Sequence, residues 1–259
     1  MKVAALGDAH LGRAYYPRTD PETGVNQREK DFEDSFTAAV DLCLASEPDV
    51  LVWLGDVFDH PRPTYRSFRV AQKALLRIRE TGLPLVVISG NHDTPRLPGT
   101  GSPYSALADA FPDVRFATRM AYERVELPEL VVHCVPQMMA VEHTLAALDE
   151  ADRSRSLDKS NLLLTHPRVP QVEPRYADIN EIEVDAGLLR SDLVLLGHED
   201  VARRPPPASC RGRAGGRPRG RPRRCRGGPR PPRARRRPGP APGPRPRRGT
   251  ARRRGRSRA

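Results

Sequence analysis

The run Val50-Leu51-Val52-Trp53-Leu54-Gly55-Asp56-Val57-Phe58-Asp59 decides how the chain folds. Five apolar residues are the length of a strand buried on both faces, and they stop at a small residue followed by a carboxylate. The same pattern occurs four more times. Val3-Ala4-Ala5-Leu6 leads to Gly7-Asp8-Ala9-His10, and Leu85-Val86-Val87-Ile88-Ser89 leads to Gly90-Asn91-His92-Asp93. Leu162-Leu163-Leu164-Thr165 leads to His166, and Leu193-Val194-Leu195-Leu196 leads to Gly197-His198-Glu199-Asp200. A single Gly-Asp after a strand is an ordinary turn or helix cap. Five strand ends in order, each finishing in oxygen or imidazole donors, need another explanation.

Helical patterns separate the first three runs. Arg28 to about Ala45 places Phe32, Phe36, Ala39, Val40, Cys43 and Leu44 on one face, and Tyr65 to about Glu80 does the same with Phe68, Ala71, Leu75, Leu76 and Ile78. Strand–helix–strand alternation predicts parallel strands joined by right-handed crossovers, an α/β fold. Ligands of such sheets bind beyond the carboxyl ends of the strands, where the polar clusters lie. The middle section (114–117, 122–127 and 130–135) reads as shorter, partly antiparallel strands, and 140 to about 151 as a helix. Trp53 and His133 read as core residues.

Charge divides the chain. Of 44 Lys and Arg, 23 are arginines after Asp200, where no acidic residue occurs; the first 200 residues hold the remaining 21 against all 32 Asp and Glu, a net of −11. The last 59 residues contain 23 Arg, 13 Pro, 10 Gly and 7 Ala, and no Leu, Ile, Met, Phe, Trp or Tyr. Such a segment cannot bury enough apolar surface to offset chain entropy, so the expected organisation is a folded body over 1–204 and a disordered tail over 205–259. Those four residue types are also the ones whose codons can be written with G and C alone. A shifted reading frame beginning near Arg203 or Arg204 explains the tail; an arginine-rich arm gripping nucleic acid is the rival reading.

No apolar run approaches the ~20 residues of a membrane span, and charged residues arrive too early for a secretory signal. The four cysteines show no metal-binding spacing, as in a reduced, cytoplasmic protein.

Asp8 and His10, two apart on an extended strand end, point to the same side and can grip one cation. Asp56 supplies a carboxylate able to bridge two cations; Asn91, His166 and His198 add a carbonyl oxygen and two imidazoles. A mixture of O and N donors without sulfur suits manganese, iron or zinc. Two cations ~3.5–4 Å apart can clamp a phosphate ester and activate water. His92 is placed to protonate the leaving group, with Asp93 available to orient its ring. Neither a G-x-S-x-G nucleophile elbow nor a phosphate-binding P-loop is present.

Together, Asp-x-His, Gly-Asp-x-x-Asp, Gly-Asn-His-Asp, a later His and Gly-His resemble the calcineurin-like metallophosphoesterase superfamily. Gly90-Asn91-His92-Asp93-Thr94-Pro95-Arg96, Gly55 to Asp59, and Asn26-x-Arg28-x-x-Asp31-Phe32 resemble more closely the SbcD-type nuclease subunits of bacterial double-strand-break repair. The resemblance covers about residues 1–204. It implies a four-layer α/β/β/α sandwich, incomplete at the C-terminus, with a di-manganese site. The first metal would be held by Asp8, His10 and Asp56, and the second by Asp56, Asn91, His166 and His198, with His92 as the stabilising acid. It further implies 3′-to-5′ exonuclease action on duplex DNA, endonuclease action on single strands and an SbcC-type ATPase partner. The resemblance suggests a homodimer interface on the helices near 65–80 and 102–111, whose apolar stripes are equally what any sheet-packing helix shows.

Two features depart from the family. Its last motif is Gly-His-x-His, whereas this chain carries Asp200 at the final position, still able to donate an oxygen. The family's further strands, its DNA-contacting cap and its ATPase-docking segment are not recognisable after about Arg204, which predicts a truncated catalytic domain. The acidic body leaves DNA attraction to the metals and to local arginines such as Arg13, Arg18, Arg62 and Arg96. Two other functions remain open: a phosphohydrolase acting on small phosphodiesters or nucleotides, and an inactive fragment or non-enzymatic nucleic-acid binder using the arginine tail.

Overall fold

In a computed structural model, which describes residues 1–172 and 181–198, twelve regular elements form two sheets with helices on their outer faces. In order they are β1 (Val3–Leu6), α1 (Gln27–Ala45), β2 (Val50–Leu54), α2 (Tyr65–Glu80), β3 (Leu85–Ile88), α3 (Pro103–Ala110), β4 (Arg115–Ala117), β5 (Glu123–Glu126), β6 (Leu130–Val135), α4 (Val141–Arg153), β7 (Ser160–Thr165) and β8 (Leu193–Leu196). The first sheet runs β1-β2-β3-β4 and is wholly parallel. The second runs β5-β6-β7-β8, with only β5 antiparallel to its neighbour.

Side-chain alternation builds the layers. On β2, Leu51 and Trp53 face α1, α2 and α3, while Val50, Val52 and Leu54 face the second sheet. Val86 and Ile88 of β3 join Val132, Cys134, Leu162 and Leu164 in that inter-sheet core. On the far side, α4 packs Ala147, Leu148 and Ala151 against Val135 and Leu163. The result is the expected α/β/β/α order. β2, β3 and β6 are buried at every position because both faces are covered, which is why they read as unbroken apolar runs. The edge strands β1 and β8 are only partly covered.

Local chemistry sets the helix starts. The Asn26 side chain accepts from the Arg28 and Glu29 amides and starts α1 one residue earlier than its apolar pattern indicates. Thr64 caps α2 through the Ser67 amide at 3.1 Å. Arg66 of α2 makes a two-point pair with the nearly buried Glu33 of α1 (2.6 and 2.5 Å), tying the two helices together.

The middle strands are partly antiparallel, as expected: β5 runs antiparallel to β6, while β4 is parallel to β3. The helix expected over 140 to about 151 runs from Val141 to Arg153. Trp53 lies in the core against Phe36, with ring centroids 5.7 Å apart. His133 is buried between the Tyr122 hydroxyl (2.8 Å) and Asn161 Oδ1 (3.1 Å), a satisfied structural histidine. The expected tail over 205–259 and Asp200 lie outside the described residues. Among the described residues, no helix is long and apolar enough to cross a membrane.

Candidate metal centre

The parallel strands β1, β2, β3, β7 and β8 bring their carboxyl ends to one rim. Backbone hydrogen bonds lace the loops there: Asp8 N donates to Gly55 O (3.1 Å), His10 N to Asp56 O (2.9 Å) and Gln137 N to Ser89 O (3.0 Å). The last of these joins the two sheets. Asp8, His10, Asp56 and His198 all hold left-handed backbones, with φ of 54°, 45°, 50° and 72°; only three other non-glycine residues among those described do so. Such a conformation costs a non-glycine residue about 1–3 kcal/mol and concentrates at functional sites.

The carboxylates anchor the loops as well as face the site. Asp56 Oδ1 accepts from the His92 amide at 2.8 Å, and both Asp8 oxygens lie within 3.1 Å of the His198 amide. His166 Nδ1 stands 2.6 Å from the Leu54 carbonyl. A carbonyl only accepts, so Nδ1 carries the proton and Nε2 is left to take either a second proton or a cation. Nε2 lies 3.2 Å from Asp56 Oδ2 and 4.0 Å from Asp8 Oδ1, and has no hydrogen-bond partner among the described residues. His198 Nδ1 faces Asn91 Oδ1 at 3.0 Å.

Electrostatics follows from this crowding. Burial alone would lower the His166 pKa, but the Asp56 carboxylate outweighs it and holds the imidazole up at about 9. Asp56 shows the mirror case: burial would raise it, and His166 draws it down to about 2. Burial, reinforced by the neighbouring Asp56 charge, raises Asp8 despite the opposing pull of His166.

These residues fit divalent cations. Asp8, His10 and Asp56 offer ligand atoms within 4.8 Å of one another, and so do Asp56, His166 and His198, with Asp56 common to both groups. The donor set is oxygen and imidazole nitrogen, as manganese, iron or zinc prefers. The cradle also admits nothing larger than glycine at its floor. A Cβ on Gly90 would lie 2.2 Å from Asp56 Oδ1 and 2.6 Å from His166 Nε2, and one on Gly197 would lie 2.4 Å from His166 Nδ1.

Of the residues expected from sequence, Asp8, His10, Asp56, Asn91, His166 and His198 meet at this rim. Asp93 departs from its expected place. Its buried carboxylate accepts from the Gly90 amide (2.8 Å), the Val57 amide (2.9 Å) and the Tyr104 hydroxyl (2.5 Å), and burial pushes it up to about 7. It braces the loops and does not face the His92 ring. The carboxylate beside that ring belongs to Asp59. His92 Nδ1 is 3.1 Å from the Asp59 carbonyl and 3.6 Å from Asp59 Oδ1, and His10 Nδ1 is 3.2 Å from the same carboxylate oxygen. Asp59 closes the Gly-Asp-x-x-Asp motif, so its position was visible in the sequence but its role was not. Beside His92 opens a cleft of about 460 Å³ lined by His60, Arg62, Thr94 and Arg96.

A model of the calcineurin-like phosphoesterase family matches residues 1–202. The chain belongs to this family. Its similar relatives include proteins named DNA double-strand break repair protein Mre11. That of Saccharolobus solfataricus is 27% identical over 67% of this chain and 43% of the relative. That of Sulfurisphaera tokodaii is 27% identical over 76% of this chain and 48% of the relative, and that of Thermoplasma acidophilum 26% identical over 74% and 50%. The chain thus spans about half the length of the curated relatives it matches. As a calcineurin-like phosphoesterase it belongs to a group that uses divalent metals, in keeping with the two donor groups that share Asp56.

Proposed function

We propose that this chain carries the catalytic centre of a manganese-dependent DNA nuclease of the double-strand-break repair type. The observation that carries the proposal is the junction of two donor groups at Asp56, beside an acid–carboxylate pair and an arginine-bearing cleft. The similarity to relatives named as DNA double-strand break repair proteins supports DNA as the substrate.

Asp8, His10 and Asp56 would hold one cation, and Asp56, Asn91, His166 and His198 the other, with Asp200 an added oxygen donor to the first. When bound, the cations supply the Lewis acidity that activates water and neutralises the phosphate. His92 is the proton donor to the departing oxygen. Its Nδ1 is engaged by the Asp59 carbonyl, which leaves Nε2 to serve the substrate, and the Asp59 carboxylate provides the counter-charge for the protonated ring. Arg62 and Arg96 in the adjoining cleft are placed to take flanking phosphates.

Exonuclease action from the 3′ end, endonuclease action on single strands and an SbcC-type ATPase partner belong to this reading. So does a homodimer through α2 and α3, supported by the exposed Tyr65 and Leu76 on α2. The two described cysteines, Cys43 and Cys134, are free thiols, in keeping with a cytoplasmic location. A domain boundary near residue 204 is supported by the family match running to residue 202. Sequencing the DNA downstream of codon 200 tests the shifted frame: an intact frame, with full-mass protein recovered from cells, would remove that explanation of the tail.

Cleavage of linear duplex DNA compared with a small aryl phosphodiester, both with manganese, tests the substrate. Cleavage of DNA is expected; hydrolysis of the small ester alone would favour a small-molecule phosphohydrolase. Metal-independent DNA binding that vanishes with salt, without turnover, would favour a binding protein.

A further inference from the structure

We infer that Glu181 is the positioning residue for His198, an inference that rests on the metal centre proposed above. Glu181 lies far from every motif that marks the site in the sequence, yet its carboxylate reaches the rim. The His198 ring stands between two acceptors: Nδ1 is 3.0 Å from Asn91 Oδ1, and Nε2 is 3.1 Å from Glu181 Oε1. The His198 and Glu181 side chains are 9% and 5% exposed, so the contact is shielded from water.

An imidazole offers a lone pair to a cation from one nitrogen when the other carries the proton. A carboxylate at Nε2 takes the N–H bond, fixes that tautomer and leaves Nδ1 as the donor beside Asn91. The same carboxylate raises the donor strength of the ring and fixes its plane. Glu181 meets the ring at Nε2, the nitrogen away from Asn91, and so acts through the ring.

The carboxylate is itself held. Its second oxygen lies 3.8 Å from Nε of Arg168, whose side chain is 3% exposed. Arg168 follows β7 and is pinned by its backbone, with its amide donating to Ile182 O and its carbonyl accepting from Val184 N, both at 2.9 Å. Its guanidinium also pairs with Glu183. A nearly buried carboxylate without a counter-charge would be costly; Arg168 provides that charge and sets the angle at which Glu181 meets His198. The segment 181–184 thus transmits the position of β7 to the last ligand of the site.

Manganese titration of the full chain by calorimetry and electron paramagnetic resonance tests this, using the native protein, Glu181→Ala and Glu181→Gln. The native chain should take two ions. Glu181→Ala should weaken the second ion by about 10–100-fold, the usual effect of removing a partner of a metal-bound histidine, and leave the first unchanged. Glu181→Gln, whose amide oxygen still accepts the Nε2 proton, should fall between. If Glu181→Ala does not fold, Glu181→Gln decides alone, and native affinity for both ions overturns the inference. Native affinities in Glu181→Ala, or equal weakening of both ions, would also overturn it. A native chain that takes up no manganese would instead sink the metal centre itself, a result distinguishable because it appears before any substitution is made.

Discussion

The two sides of the rim are built on opposite principles. On one, the Asp56 and His166 side chains are 1% and 0% exposed and locked by the His92 amide and the Leu54 carbonyl. On the other, His92 and Asp59 are 37% and 29% exposed and border an open cleft. The buried side concentrates fixed donors where water cannot compete, which favours retention of a cation. The open side keeps a histidine and a carboxylate within reach of solvent and substrate, which favours proton exchange. Substitutions on the two sides should therefore fail in different ways.

The largest effect is expected from His166→Ala. It removes a proposed ligand and leaves the buried Asp56 carboxylate without its partner, so the metal-free protein should lose about 3–5 kcal/mol of stability, read by denaturant unfolding, together with the proposed second manganese ion. His92→Ala should lower turnover by about 10²–10⁴-fold while manganese uptake stays native. Loss of uptake in that variant would erase the distinction between the sides. Asp59→Asn keeps the shape but removes the counter-charge, and should lower turnover by about 10–100-fold with stability nearly unchanged. The smallest effect is a pH slope. In the metal-free protein His166 stays protonated up to about 9 because of Asp56. A cation must displace that proton, so its apparent affinity should rise by about tenfold per pH unit on approach to 9 and level off above it. By the same linkage, the ion pair's contribution to metal-free stability is fully present below the ordinary histidine pKa and is lost as pH rises through about 9. A flat titration of manganese affinity between pH 7 and 9 would remove His166 from the ligand set.

The buried side was the more legible in the sequence. Its residues stand at the ends of parallel strands, so position in the chain translates directly into position on the rim. The open side depends on which way short loops turn, and periodicity carries no record of that. Asp93 follows His92 in sequence, but its backbone turns the carboxylate inward to Gly90, Val57 and Tyr104. Asp59, thirty-three positions from His92, takes the place beside the ring. Glu181 was invisible because it follows no apolar strand run, and the Arg168 contact that supports its carboxylate beside His198 exists only once β7 is formed. The direction of β4 was left open for a simpler reason: three residues, one of them the exposed Arg115, show no pattern that separates parallel from antiparallel pairing. The Asn26-x-Arg28 stretch, a motif of the nuclease resemblance, also serves as a helix cap, with Arg28 turned to Asp31 and Phe32.

Anomalous scattering from manganese-soaked crystals tests most directly whether distant strand ends form one dinuclear site. Two peaks are expected: one among Asp8, His10 and Asp56, the other among Asp56, Asn91, His166 and His198. A map with no anomalous density at the rim would contradict the account.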